Sequence, residues 1–438
     1  MLDLPPVACF NTHMSNTPEA PNPLESPATT SSSGEAISQR VREVAARLHR
    51  AICGVVDQIP VAAEGPQAFA RELGVHKALA NKVLSAARLA DPIAVLKQLP
   101  RSEGLGIFLR AAKPSVSAER VRNAEAAISE LQTVVKRDLG GWDELDVAIG
   151  SWLPEARAEA ELTGGRQVYN GLRNILGVTA DVQLSTVIIY PNSDGENCDA
   201  VLISASLGLR RLRPRKEIPV ESIGIFPRQG QASPPGSVTC LSESQAPDGL
   251  PLLESFCSTP LPPFRLVKTG KVQVIVMSGD AFGVRSGVDL CFGVATRGVR
   301  PLYRPESDPD FRVPSHASIS IPVKKLVFNV LLEDSVYPRC EPELALYQTH
   351  ERGSADPNDP ARQIDRMETT ASVQYLGRGP HSFHVAEFAR HAELVQYACD
   401  KLGWDINRLR GYRCRVQYPV AVAQYSMLFE PPVRAARD

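Results

Sequence analysis

The chain has 438 residues, carries a net charge of −1 and is 43% hydrophobic. A chain of this length is expected to fold into two or three units, each with an apolar core. The near-zero total charge excludes a uniformly basic protein, so a contact with nucleic acid requires a local excess of positive charge.

Positive charge is concentrated in one part of the chain. Residues 36–138 contain sixteen Lys and Arg against ten Asp and Glu, a net charge of +6. The residues before 36 carry −4, and those after 138 carry −3. A DNA-binding unit requires such an excess, so 36–138 is the segment in which we expect one.

The nine cysteines are scattered and form no CxxC pair, which excludes a zinc ribbon and a thioredoxin-type redox motif. Cysteines without a metal-binding or redox motif are typical of proteins in a reducing compartment. The N-terminus has no basic segment followed by an apolar one, and no apolar stretch is long enough to span a bilayer. We therefore predict a cytoplasmic protein without a membrane partner.

The first 35 residues are rich in Pro, Ser, Thr and Asn. They can bury little apolar surface, so we predict a disordered tail, and either Met1 or Met14 could be the start of the protein. Apolar residues then recur at steps of three and four, which predicts one helix that Pro60 ends. Its stripe packs on its own domain or forms a seam between two copies of the chain. The stripe consists of Ile37, Val41, Val44, Leu48, Ile52, Val55 and Ile59.

Two short helices joined at Gly74 are predicted over residues 66–88. Pro66 suits the first turn of a helix, and Gly74 can adopt the positive φ of a tight turn. Counting from Pro66, Ala is fifth, Gly ninth, and apolar residues are tenth, fifteenth and eighteenth. This pattern resembles the helix-turn-helix of bacterial transcription regulators. Ala80 departs from the β-branched residue that this family prefers, and the resemblance covers these residues only.

The second helix presents a face without acidic residues. Asn pairs with adenine, Lys contacts guanine or phosphate, and Ser is a general groove contact. The resemblance implies that this helix enters the major groove of double-stranded DNA. As alternatives, the two helices pack against another protein or form an ordinary αα-turn. The predicted DNA-binding residues are His76, Lys77, Asn81, Lys82, Ser85 and Arg88.

Residues 36–140 are predicted to form one all-helical domain. Asp91 is placed to cap one of its later helices, and Ser115 or Ser117 to cap a longer one. Residues 141–180 continue as helices that bridge to the next domain.

From residue 181 the pattern changes to strands rich in β-branched residues, and 181–432 is predicted as a mixed domain in an α+β protein. LSTVIIY and DAVLISASLG predict one hairpin, and KVQVIVM and GVDLCFGVA predict a second. Similar tails, GLRRLRP and GVRPLYRP, suggest two related β units. Further strands are predicted at KKLVFNVLL, ELALYQT and SVQYL and over one long stretch, YRCRVQYPVAVAQYSMLF, with a helix over 386–402.

No motif of a known catalytic site occurs, so we predict no catalytic residue, metal or cofactor. His381, His384 and His391 come nearest to a metal site, and we interpret them as separate polar residues. The basic run over 210–216 is interpreted as a solvated strand end, with a phosphate contact as the alternative.

These features predict a sequence-specific DNA-binding protein, a transcription regulator that binds as a homodimer. Its C-terminal domain would sense a small-molecule effector or assemble the protein. The alternatives are a non-enzymatic assembly protein whose helical domain binds protein, and an enzyme of an unrecognised family.

Overall fold

A computed structural model describes residues 31–224, 238–242, 250–269, 272–283, 286–338, 340–349 and 353–434. The chain divides into two compact units, one ending at Ala160 and the other beginning at Glu161. The first unit is helical and the second is built on β-sheets, which confirms the predicted α+β class.

The helical unit begins earlier than the sequence pattern indicates. Its first helix starts at Ser31, within the tail predicted to be disordered, and the rest of that tail (1–30) lies outside the described residues. The boundary with the second unit falls within the last helix. The helices are α1 (Ser31–Val56), α2 (Pro66–Leu73), α3 (Lys77–Ala87), α4 (Pro92–Gln98), α5 (Ser102–Ala112), α6 (Ala118–Val134), α7 (Trp142–Trp152) and α8 (Pro154–Leu176).

The apolar stripe of α1 forms the core of its own unit. Val41, Leu48 and Val55 are fully buried, and α1 packs against α3, α4 and α6. Because these side chains already have partners, the alternative of a dimer seam along α1 is wrong.

Two predicted caps in the helical unit are confirmed. The Asp91 carboxylate accepts hydrogen bonds from the backbone N–H groups of Ile93 and Ala94 at the start of α4. Ser117, rather than Ser115, caps α6 by accepting from the N–H of Arg120. Each cap satisfies N–H groups that have no partner within the helix.

The β unit contains fourteen strands and one further helix, α9 (His391–Leu402), in its described residues. The strands are β1 (Val178–Pro191), β2 (Asn197–Arg211), β3 (Ile218–Gly224), β4 (Val238–Cys240), β5 (Phe264–Thr269), β6 (Val272–Met277), β7 (Val288–Pro301), β8 (Val313–Ser318), β9 (Val323–Glu333), β10 (Glu343–Gln348), β11 (Arg366–Met367), β12 (Val373–Arg378), β13 (Leu409–Gln417) and β14 (Ala423–Phe429).

A seven-stranded sheet in the order β12-β13-β9-β1-β2-β7-β4 organises this unit. Only β1 and β9 pair in parallel; its other neighbouring strands are antiparallel. One face packs on α9, and the opposite face packs on a four-stranded sheet, β11-β10-β14-β8, and a three-stranded sheet, β3-β6-β5. Both faces are therefore covered, which explains why β9 is apolar along most of its length.

The first predicted hairpin is confirmed as β1 and β2, but the second is wrong. β6 pairs with β3 and β5, whereas β7 pairs with β2 in the large sheet. The long predicted strand is also wrong: β13 and β14 lie in different sheets, separated by Tyr418 and Val422 with positive φ. The predicted helix over 386–402 begins only at His391.

β2 and β7 carry matched bulges that face each other. The Asp289 carboxylate of β7 accepts from the N–H of Gly208 in β2 at 2.7 Å, and the Asp199 carboxylate of β2 accepts from the N–H of Gly298 in β7 at 2.8 Å. Both glycines have a φ of 61°, which favours glycine. Each aspartate precedes the glycine of its own strand by nine residues. The two glycines are the first residues of the similar tails GLRRLRP and GVRPLYRP, so the tails adopt similar local structure. A common origin of the two β units stays a prediction.

Candidate nucleic-acid interface

The turn between α2 and α3 is built on Gly74, as predicted. Gly74 adopts φ 64° and ψ 31°, the left-handed conformation. Its N–H donates to the carbonyl of Arg71, and the N–H of Val75 donates to the carbonyl of Ala70 at 3.0 Å. This bond pattern satisfies the last carbonyls of α2 and lets α3 begin three residues later.

The six predicted DNA-binding residues lie along one side of α3 and its ends. At 100° per residue, Ala78 and the predicted residues other than His76 fall within an arc of roughly 140°. Ser85 is half-buried, and the other five predicted residues are exposed. The opposite side buries Ala80, Val83, Leu84 and Ala86.

His76 has a structural role at this site. It is the N-cap of α3, and its Nδ1 accepts a hydrogen bond from the N–H of Ala78 at 3.2 Å. This contact fixes the direction in which α3 leaves the turn. His76 therefore positions the helix, and the other five residues form the surface that we call the α3 face (Lys77, Asn81, Lys82, Ser85 and Arg88).

The cations of the α3 face are not neutralised by neighbouring carboxylates. Lys77, Lys82 and Arg88 are exposed and make no ion pair with any residue that the structure describes. Two arginines of α1 differ, because Arg40 lies 2.8 Å from Asp138 and Arg47 lies 2.6 Å from Glu130. Positive potential in the helical unit is thus available on α3, and along α1 it is available at Arg50, which is exposed and makes no ion pair with a described residue.

Contacts from α1 hold the far end of α3. His49 Nε2 lies 3.3 Å from the carbonyl oxygen of Ala87, and the Cys53 thiol donates to the same oxygen at 3.5 Å. Ala80, the departure from the family pattern, is 1% exposed, so a small residue suffices to pack the helix there. α3 is therefore fixed at both ends with its polar side outward.

The three histidines considered as a metal site do not come together. His381 and His384 are exposed, whereas His391 is fully buried under α9. Within the described residues, no group of three or more His, Cys, Asp or Glu could hold a metal ion.

The basic run over 210–216 is divided between internal contacts and solvent. Arg211 is 3% exposed and donates to the carbonyls of Lys216, Ser278 and Ala281, so it holds loops together. Arg210 pairs with Asp181, and Arg213 donates to the carbonyl of Asn174. Arg213, Arg215 and Lys216, just beyond the end of β2, are exposed, so the predicted solvated strand end holds for these three and is wrong for Arg211. The alternative of a phosphate contact stays a prediction.

Two contributions were not predicted from the sequence. Arg71, on α2 beside the turn, is exposed and makes no ion pair among the residues described, so it adds to the positive surface. Three arginines close in the sequence, Arg300, Arg304 and Arg312, line a cavity in the β unit. The density of arginine in that segment was the available signal.

None of the helices that the structure describes has the length and apolar character needed to cross a membrane. Comparison of the chain with protein-family models and with curated proteins gives no match.

Proposed function

We propose that the chain is a sequence-specific double-stranded DNA-binding protein that regulates transcription. The observation that carries this proposal is the α3 face, an exposed and acid-free surface whose cations have no carboxylate partner among the described residues. In this proposal α3 enters the major groove, where Asn81 contacts a base edge and Lys77 and Lys82 contact phosphate or guanine.

The other parts of the proposal follow from this role. The protein acts in the cytoplasm and binds as a homodimer, because two copies present two α3 helices to a two-fold DNA site. The β unit senses a small molecule or assembles the protein. The rival function is an assembly protein whose α3 face binds another protein; the absence of acidic residues on that face favours a polyanionic partner instead.

Capture of genomic DNA fragments on the purified chain tests the proposal. We expect a discrete set of sites for the wild type and, at low salt, an affinity lower by about tenfold or more for Lys77→Ala combined with Lys82→Ala. Where the two lysines contact phosphate, the loss applies to every sequence, because phosphate contacts carry no sequence information. Alanine is a strong helix former, so the double variant is expected to keep α3.

Matched variants separate the roles of these residues. Arg122→Ala with Lys136→Ala removes the same charge at α6 and just after it, from two exposed cations that make no ion pair with a described residue, and is expected to leave the affinity nearly unchanged. Asn81→Ala is expected to relax the preference for one base pair by about 1–3 kcal/mol. The double variant on α3 should also reduce the slope of log affinity against log salt by about two. Equal retention of the wild type and both double variants would contradict the proposal and favour a protein partner.

A further inference from the structure

Two neighbouring cavities lie beside β8, the edge strand of the four-stranded sheet. The larger has a volume of about 600 Å³ and the smaller about 480 Å³. Arg304 and Arg312 line both of them. Cavities of this size accommodate a small organic molecule.

The larger cavity has an apolar floor. Ala200 and Leu202 of β2 and Val313 of β8 contribute aliphatic side chains. Tyr303 and Phe311, both half-buried, add aromatic rings to its lining. Such a surface suits the apolar or aromatic body of a ligand.

Its charged groups give the larger cavity an excess of positive charge. Four arginines line it against two carboxylates, Glu196 and Asp356. Both carboxylates already bind groups of the protein. Glu196 pairs with Arg434, and Asp356 accepts hydrogen bonds from the backbone and side-chain N–H groups of Asn358 at 2.9 and 3.1 Å.

Arg304 makes no ion pair with any described residue, and Arg312 makes one long ion pair, with Glu430. Arg304 donates to the carbonyl of Asp308 at 3.5 Å, and Arg312 donates to the carbonyls of Pro309 and Phe311. Carbonyl groups carry no net charge. The nearest carboxylate oxygen recorded for Arg312, on Glu430, is 3.9 Å away, too far for a hydrogen bond.

We propose that this cavity binds a small phosphorylated molecule, with its apolar or aromatic body on the floor and its phosphate on Arg304 and Arg312. The cavity has an excess of two positive charges, four arginines against two carboxylates. This excess matches a phosphate, which carries about −1.5 to −2 at neutral pH, better than a carboxylate. The guanidinium group also presents paired N–H donors that fit phosphate oxygens. The inference deepens the proposed function by naming the class of effector, and it rests on that function for the regulatory role alone.

Calorimetric titration of the full chain tests the binding step. The probes are phenyl phosphate and adenosine 5′-monophosphate, with phenol and adenosine as their neutral counterparts. We expect saturable binding of both phosphorylated probes. The neutral probes, which lack the phosphate, should bind at least about tenfold more weakly, a difference of about 1.4 kcal/mol in binding free energy. The proposal is overturned if neither phosphorylated probe saturates the protein up to roughly 10 mM. A dissociation constant of that size corresponds to a binding free energy of only about 3 kcal/mol.

Variants locate the site. Arg304→Gln with Arg312→Gln is expected to weaken binding of both phosphorylated probes tenfold or more, whereas Arg415→Gln, an exposed arginine on β13 outside the cavity, should not. Unchanged affinity in the double variant overturns the assignment. If the double variant does not fold, Arg304→Lys decides, because it keeps the charge and loses the paired donors; it should bind more weakly than the wild type. These titrations contain no DNA, so their failure is distinct from a failure of DNA capture.

Discussion

At the scale of single residues, the β unit depends on polar groups that are completely buried. His391 Nε2 lies 2.9 Å from Thr186 Oγ1, and Arg413 Nε donates to Asn329 Oδ1 at 2.6 Å, beneath the start of α9. Burial lowers the pKa of His391 to about 4, and the nearby Arg413 adds to this shift. His391 is therefore neutral in the folded protein at neutral pH, where it joins α9 to the large sheet.

Glu221 of β3 is affected by burial in the opposite sense. Loss of water around the carboxyl raises its pKa to about 7, although one oxygen accepts a hydrogen bond from the N–H of Ser222 at 2.9 Å. The other oxygen has no hydrogen-bond partner in the described structure. The protonated form is therefore the stable one in the fold below neutral pH.

These two groups predict opposing effects of pH on the stability of the β unit. The unfolded chain protonates His391 near pH 6.5, before the folded chain does, so this group lowers the free energy of unfolding as pH falls. Glu221 ionises near pH 4.3 when unfolded and near 7 when folded, so it lowers the free energy of unfolding as pH rises. Each contribution amounts to about 2 kcal/mol between pH 5 and 7, and in the wild type they largely cancel.

Single variants separate the two contributions. His391→Gln should unfold more easily as pH rises from 5 to 7, and Glu221→Gln should unfold more easily as pH falls over the same range. Urea titrations followed by Trp404, which stacks on Tyr190 at 4.9 Å, measure this in a background with Trp142→Phe and Trp152→Phe. The same slope in both variants would contradict the assignment.

At the scale of elements, the turn before α3 depends on the backbone of Gly74. A Cβ added at Gly74 would have no heavy atom within 4 Å apart from those of Gly74 itself and its two chain neighbours. A substitution there therefore causes no steric clash, and its cost comes only from the left-handed backbone conformation. We expect Gly74→Ala to lower the free energy of unfolding by about 1 kcal/mol, and Gly74→Asn by less, because Asn tolerates the left-handed region. Urea titrations followed by Trp142 and Trp152 measure the difference. An equal loss for Ala and Asn would point to a cause other than φ.

The pairing of strands, unlike the formation of helices, depends on residues far away in the sequence. β6 and β7 follow each other in the chain, yet β7 is fourteen residues long and pairs along β2, while β6 joins β3 and β5. Periodicity therefore predicts that a strand exists but does not predict the sheet that contains it.

At the scale of the whole molecule, the proposed homodimer needs a surface other than α1. On α8, Val168 and Ile175 are 43% and 68% exposed and, seven residues apart, lie on one side of the helix. We expect light scattering to give twice the monomer mass of 47.6 kDa and Val168→Glu with Ile175→Glu to reduce it to one monomer. Val147→Glu, at a position 76% exposed on α7, is the control and should leave the mass unchanged. A wild type that stays monomeric at the concentrations that bind DNA contradicts the dimer.

Local patterns were sufficient to predict most of the helical unit. The stripe of α1, the Gly74 turn, the Asp91 cap and the outward side of α3 all depend on residues a few positions apart. Helix hydrogen bonds and caps form over the same short distances, so the pattern and the structure depend on the same neighbours. The α3 face, as a surface, could therefore be predicted before any coordinates; its partner is a proposal.

Long-range packing decided the remaining features. Arg211 and Arg215 are close in the basic run, yet one is buried among carbonyls and the other is 89% exposed. The cavity beside Arg304 and Arg312 exists because β2, the connection between β7 and β8, and the segment around Asp356, which are far apart in the chain, meet around it. Burial and cavities depend on which distant segments cover a residue, and a single sequence does not record that arrangement. Tertiary structure alone therefore distinguishes the arginines that form internal contacts from those that remain available to a ligand.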